Sequence, residues 1–213
     1  IKIDACLHGE YTSFASPAVW DGLAEYAREK GLGMHVHISE TRSEHEDCVG
    51  RWGMTPVQVL EKHGVWDVRA IAAHCVWTTP DDWAILAEHG VSAVHNPCSN
   101  LKLGSGIAPV IGLRKAGVNV ALGTDGVSSN NTTDLFEDMK IAAMLQNGAQ
   151  QDPLALLPMD ALRMATVNGA RALGRNTGRI APGCDADLIL VDFGRLNLIP
   201  CHDVVSNLVY AAH

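Results

Sequence analysis

The sequence of 213 residues predicts an α/β fold in which parallel strands alternate with helices. Short, nearly continuous apolar segments recur along the chain, which is typical of strands buried on both faces of a parallel sheet. Ser-Pro, Thr-Pro and Gly signals between these segments mark where helices begin and end. A histidine or an aspartate follows most apolar segments, and the carboxyl ends of parallel strands form one edge where ligands bind.

Five strands are predicted, with a helix after each of them. The strands are Ile1–Leu7, Gly33–Ile38, Val68–Ala73, Val91–His95 and Val118–Leu122. The helices begin at Ser16-Pro17, Thr55-Pro56, Thr79-Pro80, Pro109 and Thr133, and the first four of them end at Gly31, Gly64, Gly90 and Gly117. Such an array forms either a barrel or an open doubly wound sheet, and the binding edge is the same in both.

The C-terminal part of the chain has a different pattern. After a helical region from Pro158 to Leu173, the segment Gly178–Asp192 (GRIAPGCDADLILVD) predicts two short strands around a Pro-Gly turn. We therefore expect two domains, an α/β domain over residues 1–174 and a β-type subdomain with a return segment over residues 175–213.

Composition excludes some classes of function. The net charge of -8 argues against a nucleic-acid surface, which needs clustered Lys and Arg. No apolar run approaches the ~20 residues of a membrane helix. Six scattered cysteines without a C-x-x-C pair indicate reduced thiols, so a cytoplasmic protein is expected. The composition leaves assembly into a homo-oligomer open.

Five candidate functional residues lie at the carboxyl ends of the predicted strands. They are His8, His37, His74, His95 and Asp125. His35 and His37 point to the same side of their strand, and Glu40 comes just after its end. Taken alone, each could be a hydrogen-bonded histidine or a turn residue. Together they favour a metal site with an acid beside it, and imidazole and carboxylate ligands suit Zn²⁺, with Fe²⁺ as the second choice.

Longer motifs resemble the amidohydrolase superfamily, in the branch of 5′-methylthioadenosine/S-adenosylhomocysteine deaminases, triazine hydrolases and guanine deaminases. The motifs are H-x-H-x-x-E-T (His35–Thr41), A-H-C (Ala73–Cys75), HNPCSNLKLGSGIAPV (His95–Val110), LGTDGVSSNN (Leu122–Asn131) and ATVNGARALG (Ala165–Gly174). The likeness covers essentially the whole chain. HGEYTS from His8 and VSNLVYAA (Val205–Ala212) are most similar to the methylthioadenosine deaminases.

The resemblance implies a (β/α)8 barrel of the TIM type with a small β-sandwich. The five strands correspond to the fourth to eighth strands of that family, so we expect a partial barrel and part of the sandwich. In the family, two further metal ligands come from an H-x-H pair on the first strand, and nothing before His8 matches it. We therefore expect this chain alone to bind metal weakly.

The resemblance also implies a role for each candidate residue in deamination. His37 and Asp125 would bind the metal, and Asp125 would pass a proton to the departing ammonia. Glu40 would carry a proton from water to the ring nitrogen, a contribution of roughly 10²–10⁴-fold. His74 would hydrogen-bond the attacking oxygen and stabilise its charge. The residues expected to contact a purine-type substrate are His8, His95 and Asn96.

Three functional hypotheses remain at this stage. The first is a metal-dependent deaminase of an adenine nucleoside such as 5′-methylthioadenosine or S-adenosylhomocysteine. The second is a deaminase or hydrolase of a guanine, pterin or triazine ring, for which Glu40 would serve equally well. The third is an inactive barrel fragment without the first-strand metal ligands. Ammonia release from a panel of substrates separates the first two, and metal content tests the third.

Overall fold

The structure, a computed structural model, describes the backbone of residues 6–9 and residues 16–213 in full. It contains a sheet in which the strands follow chain order: β1 (Cys6–Gly9), β2 (Gly33–Ile38), β3 (Ala70–His74), β4 (Ser92–His95) and β5 (Asn119–Leu122). β1 to β4 pair in parallel. The predicted alternation of strands and helices is confirmed. Residues 1–5 of the first predicted strand lie outside the described part of the chain.

Helices connect the strands and continue after the sheet. They are α1 (Pro17–Lys30), α2 (Arg42–Trp52), α3 (Pro56–Lys62), α4 (Pro80–Glu88), α5 (Pro97–Lys102), α6 (Val110–Lys115), α7 (Val127–Asn130), α8 (Leu135–Gln150), α9 (Pro158–Ala165), α10 (Val167–Ala172) and α11 (Val204–Tyr210). Two short 3-10 helices are formed by Val65–Asp67 and Leu196–Leu198.

The helix signals in the sequence act as predicted. Thr55 and Thr79 each form a capping box, in which the threonine hydroxyl accepts a backbone N–H and the third helical residue returns a side-chain bond. Gly31 ends α1 in the left-handed conformation, where glycine has no steric cost. A cap of this kind contributes about 1 kcal/mol, so local chemistry sets these boundaries.

The core of the sheet is formed by the apolar strand residues. All five residues of β3 are buried, and Val36 and Ile38 of β2 have no exposed surface. Such strands need cover on both faces, as in parallel α/β sheets. The strands therefore form a fixed base, and the polar groups at their carboxyl ends can extend from it.

Three short helices were absent from the sequence prediction. α2 buries only Glu44 and Cys48, so its pattern is mostly polar and lacks an apolar stripe. α5 and α7 lie in segments predicted as loops, and they have six and four residues, respectively. Helices this short depend on their packing and caps more than on periodicity.

The chain forms two compact units. One comprises the residues up to His95 together with Gly104–Val120, and the other comprises Asn96–Leu103 and Ala121–His213. The domain boundary predicted after residue 174 is not tested by this division and stays a prediction. Among the described residues, no helix combines the length and the apolar character needed to cross a lipid bilayer.

The two strands predicted within Gly178–Asp192 are wrong, because this segment contains turns and irregular backbone in the structure. The side chains expected to be strand interior are exposed: Leu188 by 61%, Ile189 by 74% and Leu190 by 102%. An isolated two-stranded hairpin is marginally stable, because it has no further sheet against which to bury its apolar face. The apolar pattern of the segment indicated strands, but no neighbouring strand is available to it among the described residues.

Candidate active site

His37 and His74 come together at the carboxyl edge of the sheet. His74 is the last residue of β3, and the register places Ile38 opposite it and His37 opposite Ala73. The two imidazole rings are stacked, with centroids 5.3 Å apart and planes at 29°. His74 is 2% exposed, whereas His37 is half-buried. The parallel pairing of β2 and β3 thus brings together two ligand-type side chains that are 37 positions apart in the sequence.

Glu40 lies beside this histidine pair. Its carboxylate oxygen Oε2 is 3.7 Å from Nε2 of His74, and Oε1 accepts a hydrogen bond of 3.3 Å from the Ser105 hydroxyl. Only 4% of Glu40 is exposed. Both side-chain contacts are long for hydrogen bonds to a carboxylate, so they guide the group without holding it tightly. The Glu40 carboxyl group can therefore exchange a proton with a molecule bound beside Glu40 and His74.

The backbone of Glu40 is held by a second carboxylate, that of Glu44. The Glu44 oxygens accept hydrogen bonds from the backbone N–H groups of Glu40, at 2.7 Å, and of Ser39, at 3.1 Å. Glu44 is 6% exposed, and burial raises its pKa to about 7, although the backbone bonds act in the opposite direction. The negative charge of Glu40 makes a smaller contribution to this rise in pKa. Two carboxyl groups therefore lie within one buried turn.

Asp125 follows β5 in the second compact unit, with a left-handed backbone (φ 61°). Its Oδ2 accepts a hydrogen bond of 2.6 Å from the hydroxyl of Ser99, and its Oδ1 accepts one of 2.8 Å from the N–H of Gly126. Ser99 is completely buried at the start of α5. Short bonds to both oxygens fix the orientation of the carboxylate.

A buried carboxylate supports the loop that carries Asp125. Asp138 of α8 has no exposed surface and accepts hydrogen bonds from Cys98 N–H, at 3.2 Å, and from the Asn130 amide, at 3.1 Å. The same Asn130 amide donates to the carbonyl of Thr124 at 2.8 Å. Burial raises the pKa of Asp138. The starts of α5 and α8 and the end of α7 are tied together around this group, so the residue before Asp125 is fixed through its carbonyl.

His95, the last residue of β4, and Asn96, which follows it, are two of the predicted substrate contacts, and both are buried. Neither ring nitrogen of His95 has a hydrogen-bond partner among the described residues. Burial and, to a smaller extent, the neighbouring His74 lower the pKa of His95 to about 3. The ring is therefore neutral at physiological pH and can both donate and accept a hydrogen bond.

The third predicted substrate contact, His8, has its backbone in β1, where the register places it opposite His35. Its side chain lies outside the described part of the structure. His35 lies on the same face as His37, as the strand alternation predicts, with ring centroids 6.5 Å apart.

The sequence analysis did not identify Glu44 or Ser105 as site residues. Glu44 carries a recognisable signal, since Thr41 and Glu44 form the T-x-x-E pattern of a capping box. Thr41 does cap α2, and its hydroxyl accepts the Glu44 N–H at 3.2 Å. Ser105 lies 65 positions after Glu40 and carries no local signal.

The parallel sheet carries imidazole and carboxylate groups at its carboxyl edge, and the chain belongs to the amidohydrolase family. The model of that family matches residues 9–212. The structure is similar over 97% of its length to an adenosine deaminase from Xanthomonas campestris with bound zinc, at 39% identity and a TM-score of 0.91, and covers 47% of that chain. The predicted partial barrel is thereby confirmed.

The names of individual relatives specify their substrates. The whole chain aligns with 49% of the length of the 5-methylthioadenosine/S-adenosylhomocysteine deaminase of Acetivibrio thermocellus, and the sequence identity is 49%. The alignment with the 5′-deoxyadenosine deaminase of Methanosarcina mazei covers 88% of this chain and 44% of that protein, and the sequence identity is 48%. A guanine deaminase from C. acetobutylicum with bound guanine matches with a TM-score of 0.84 at 26% identity, and 49% of it is covered. The chain thus spans about half the length of the relatives that it matches.

Proposed function

We propose that the protein carrying this chain is a metal-dependent aminohydrolase that deaminates an adenine nucleoside such as 5′-methylthioadenosine or S-adenosylhomocysteine. The observation that carries the proposal is the buried contact of Glu40 with His74, at 3.7 Å, beside the stacked ring of His37. The relatives named as deaminases of such nucleosides, at 48–49% identity, support the choice of substrate.

The donor set fits a zinc ion. His37 and His74 offer imidazole nitrogens and Asp125 offers a carboxylate oxygen, which are ligand types that zinc accepts. We assign His37 and Asp125 to the ion and His74 to the attacking oxygen. When bound, a divalent cation lowers the pKa of water to about 7, so that a nucleophile is available at neutral pH.

The chain's own residues would supply the proton transfers. Deamination adds the oxygen of water to the ring carbon and releases the amino group as ammonia, so one proton must reach the ring nitrogen and another the leaving nitrogen. Glu40 would take a proton from the attacking water and give it to the ring nitrogen. His74 would donate a hydrogen bond to the oxygen. Asp125 would take the second proton from that same oxygen and give it to the leaving nitrogen, which departs as ammonia while the oxygen becomes the ring carbonyl. Because Glu40 is buried, bulk water does not compete for its proton.

The edge of the substrate ring would be contacted by His95 and Asn96, with His8 as a further contact. A neutral imidazole offers one donor and one acceptor, and a nucleobase presents both kinds of group along its edge. The neutral state of His95, whose pKa of about 3 results from burial, supports this assignment. We also propose a cytoplasmic location, which the free thiols of all five described cysteines support.

The test is ammonia release by the full-length protein, with zinc supplied, from a panel of 5′-methylthioadenosine, S-adenosylhomocysteine, 5′-deoxyadenosine, adenosine and guanine. We expect turnover of the adenine nucleosides and little or none of guanine. Turnover of guanine alone would favour the second hypothesis, a substrate with a guanine-type ring, which is motivated by the similarity to guanine deaminase. Absence of ammonia from every compound would contradict the proposal.

A further inference from the structure

The carboxylate of Glu44 contacts the main chain of the proposed acid instead of a side chain. It accepts the N–H groups of Ser39 and Glu40, the residues that link β2 to α2. Two successive backbone donors thus face one carboxylate at the point where the strand ends.

This arrangement differs from an ordinary helix cap. In a simple capping box the carboxylate at the third helical position serves the N–H of the N-cap residue, here Thr41. Glu44 instead accepts the N–H groups of the two residues before the cap, Ser39 and Glu40. Ser39 is held in the left-handed region (φ 47°), which is unfavourable for a residue with a side chain. The two bonds hold the chain in the conformation that directs Glu40 toward His74.

The burial of Glu44 is costly, and stability alone gives little reason for it. A glutamate or glutamine on an exposed first turn would cap α2 without desolvating a carboxylate. Here the group is 6% exposed and lies beside a second buried carboxyl, Glu40, whose charge opposes it. Residues placed at such a cost in a site commonly serve to hold reacting groups in position.

We propose that Glu44 is a positioning residue for Glu40, which it holds through the backbone. This inference rests on the proposed function of Glu40 as the proton carrier. The short bond of Glu44 to the Glu40 backbone N–H, 2.7 Å, and its second bond to the preceding N–H of Ser39, 3.1 Å, support it. A group that moves a proton between water and a ring nitrogen needs a main chain that is fixed in position.

The kinetic test is a double-mutant cycle in the full-length enzyme. Glu44→Ala should lower kcat roughly 10–100-fold, the cost of a misplaced catalytic group, with KM changed less than about threefold. In a Glu40→Gln background the same change should lower kcat less than about threefold, because Glu44 would act through a group already removed. Equal losses in both backgrounds would overturn the proposal.

Two controls separate positioning from folding. Glu46→Ala removes an exposed glutamate from the same helix, where it pairs with exposed Arg42, and should leave kcat unchanged. Glu44→Gln keeps the size of the side chain and one acceptor oxygen, so it should fold and retain more activity than Glu44→Ala. If Glu44→Gln is folded, as judged by thermal melting, and is as active as the parent, the carboxylate has no positioning role.

A readout without turnover distinguishes failure of this inference from failure of the proposed function. Amide hydrogen exchange at Ser39 and Glu40 should be at least tenfold faster in Glu44→Ala than in the parent, and unchanged in Glu46→Ala. If the parent releases no ammonia but these amides respond, the anchoring holds and the proposed reaction is wrong. If the amides do not respond, Glu44 does not anchor Glu40, whatever the substrate.

Discussion

Two loops at the carboxyl ends of strands each carry a proposed catalytic carboxylate, and they hold it in different ways. In the β2 loop (residues 39–44), Glu40 is fixed by backbone bonds to Glu44, and its side chain contacts Ser105 at 3.3 Å and His74 at 3.7 Å. In the β5 loop (residues 123–130), the carboxylate of Asp125 receives short bonds on both oxygens, from Ser99 and from Gly126. The first loop fixes the main chain, and the second fixes the functional group itself.

This difference matches the proposed tasks of the two residues. A metal ligand works best when its oxygens keep one orientation, and an outer hydrogen-bond partner provides this. Glu40 would carry a proton from the attacking water to the ring nitrogen, and its support lies on the backbone. Asp125 would also pass a proton, but it would do so as a metal ligand in one fixed orientation. The location of the support thus differs between the acid proposed as a ligand and the acid proposed only as a proton carrier.

The largest effect is expected from Glu40→Gln, which keeps the shape of the side chain but removes its ability to accept and donate a proton. Turnover of the preferred substrate should fall roughly 10²–10⁴-fold, the range for loss of a general acid–base group. Bound zinc, measured by elemental analysis, should be unchanged, because Glu40 is not an assigned ligand. Loss of bound zinc together with activity would contradict the assignment of Glu40 as a proton carrier that does not bind the metal. Glu46→Gln, on the exposed side of α2, is the matched control.

The β2 loop should also make stability depend on pH, through Glu44. Its pKa is raised from 4.5 to about 7, so between these values the folded chain binds more protons than the unfolded one. The stabilising contribution is then complete below about pH 4.5 and is lost as the pH rises through about 7, with a size of about 3 kcal/mol. Urea unfolding of the parent and of Glu44→Gln between pH 5 and 8 measures it. The free energy of unfolding should fall more steeply with pH in the parent, and parallel curves would contradict the assignment.

A smaller effect is expected from Ser99→Ala in the β5 loop. The Asp125 carboxylate would lose its bond of 2.6 Å, and loss of such an outer partner typically weakens metal binding roughly 10–100-fold. Competition with a zinc chelator gives the affinity. Ser128→Ala, at an exposed position of α7, serves as the control. An unchanged zinc affinity would show that Asp125 needs no support from Ser99. The free energy of unfolding of Ser99→Ala should depend on pH with the same slope as that of the parent.

Much of the fold could be predicted because its signals are local. Gly33–Ile38 was predicted with the bounds that β2 has in the structure, and the capping signals at Thr55 and Thr79 were confirmed. The strands predicted in Gly178–Asp192 failed for the opposite reason. A strand depends on a neighbour elsewhere in the chain, and the local pattern of Leu188–Leu190 contains no information about whether one is present.

The candidate site divides along the same line. Residue type and strand position made His37, His74 and Asp125 candidates, with Glu40 just after a strand end, because the carboxyl ends of parallel strands always share an edge. Their roles came from the family resemblance and stay proposals. Their supports came from the three-dimensional arrangement. Ser105 reaches Glu40 across 65 positions and Ser99 reaches Asp125 across 26, since only packing decides which distant hydroxyl faces a carboxylate. Chain-local chemistry can therefore propose reactive groups, whereas tertiary contacts decide which neighbours support them.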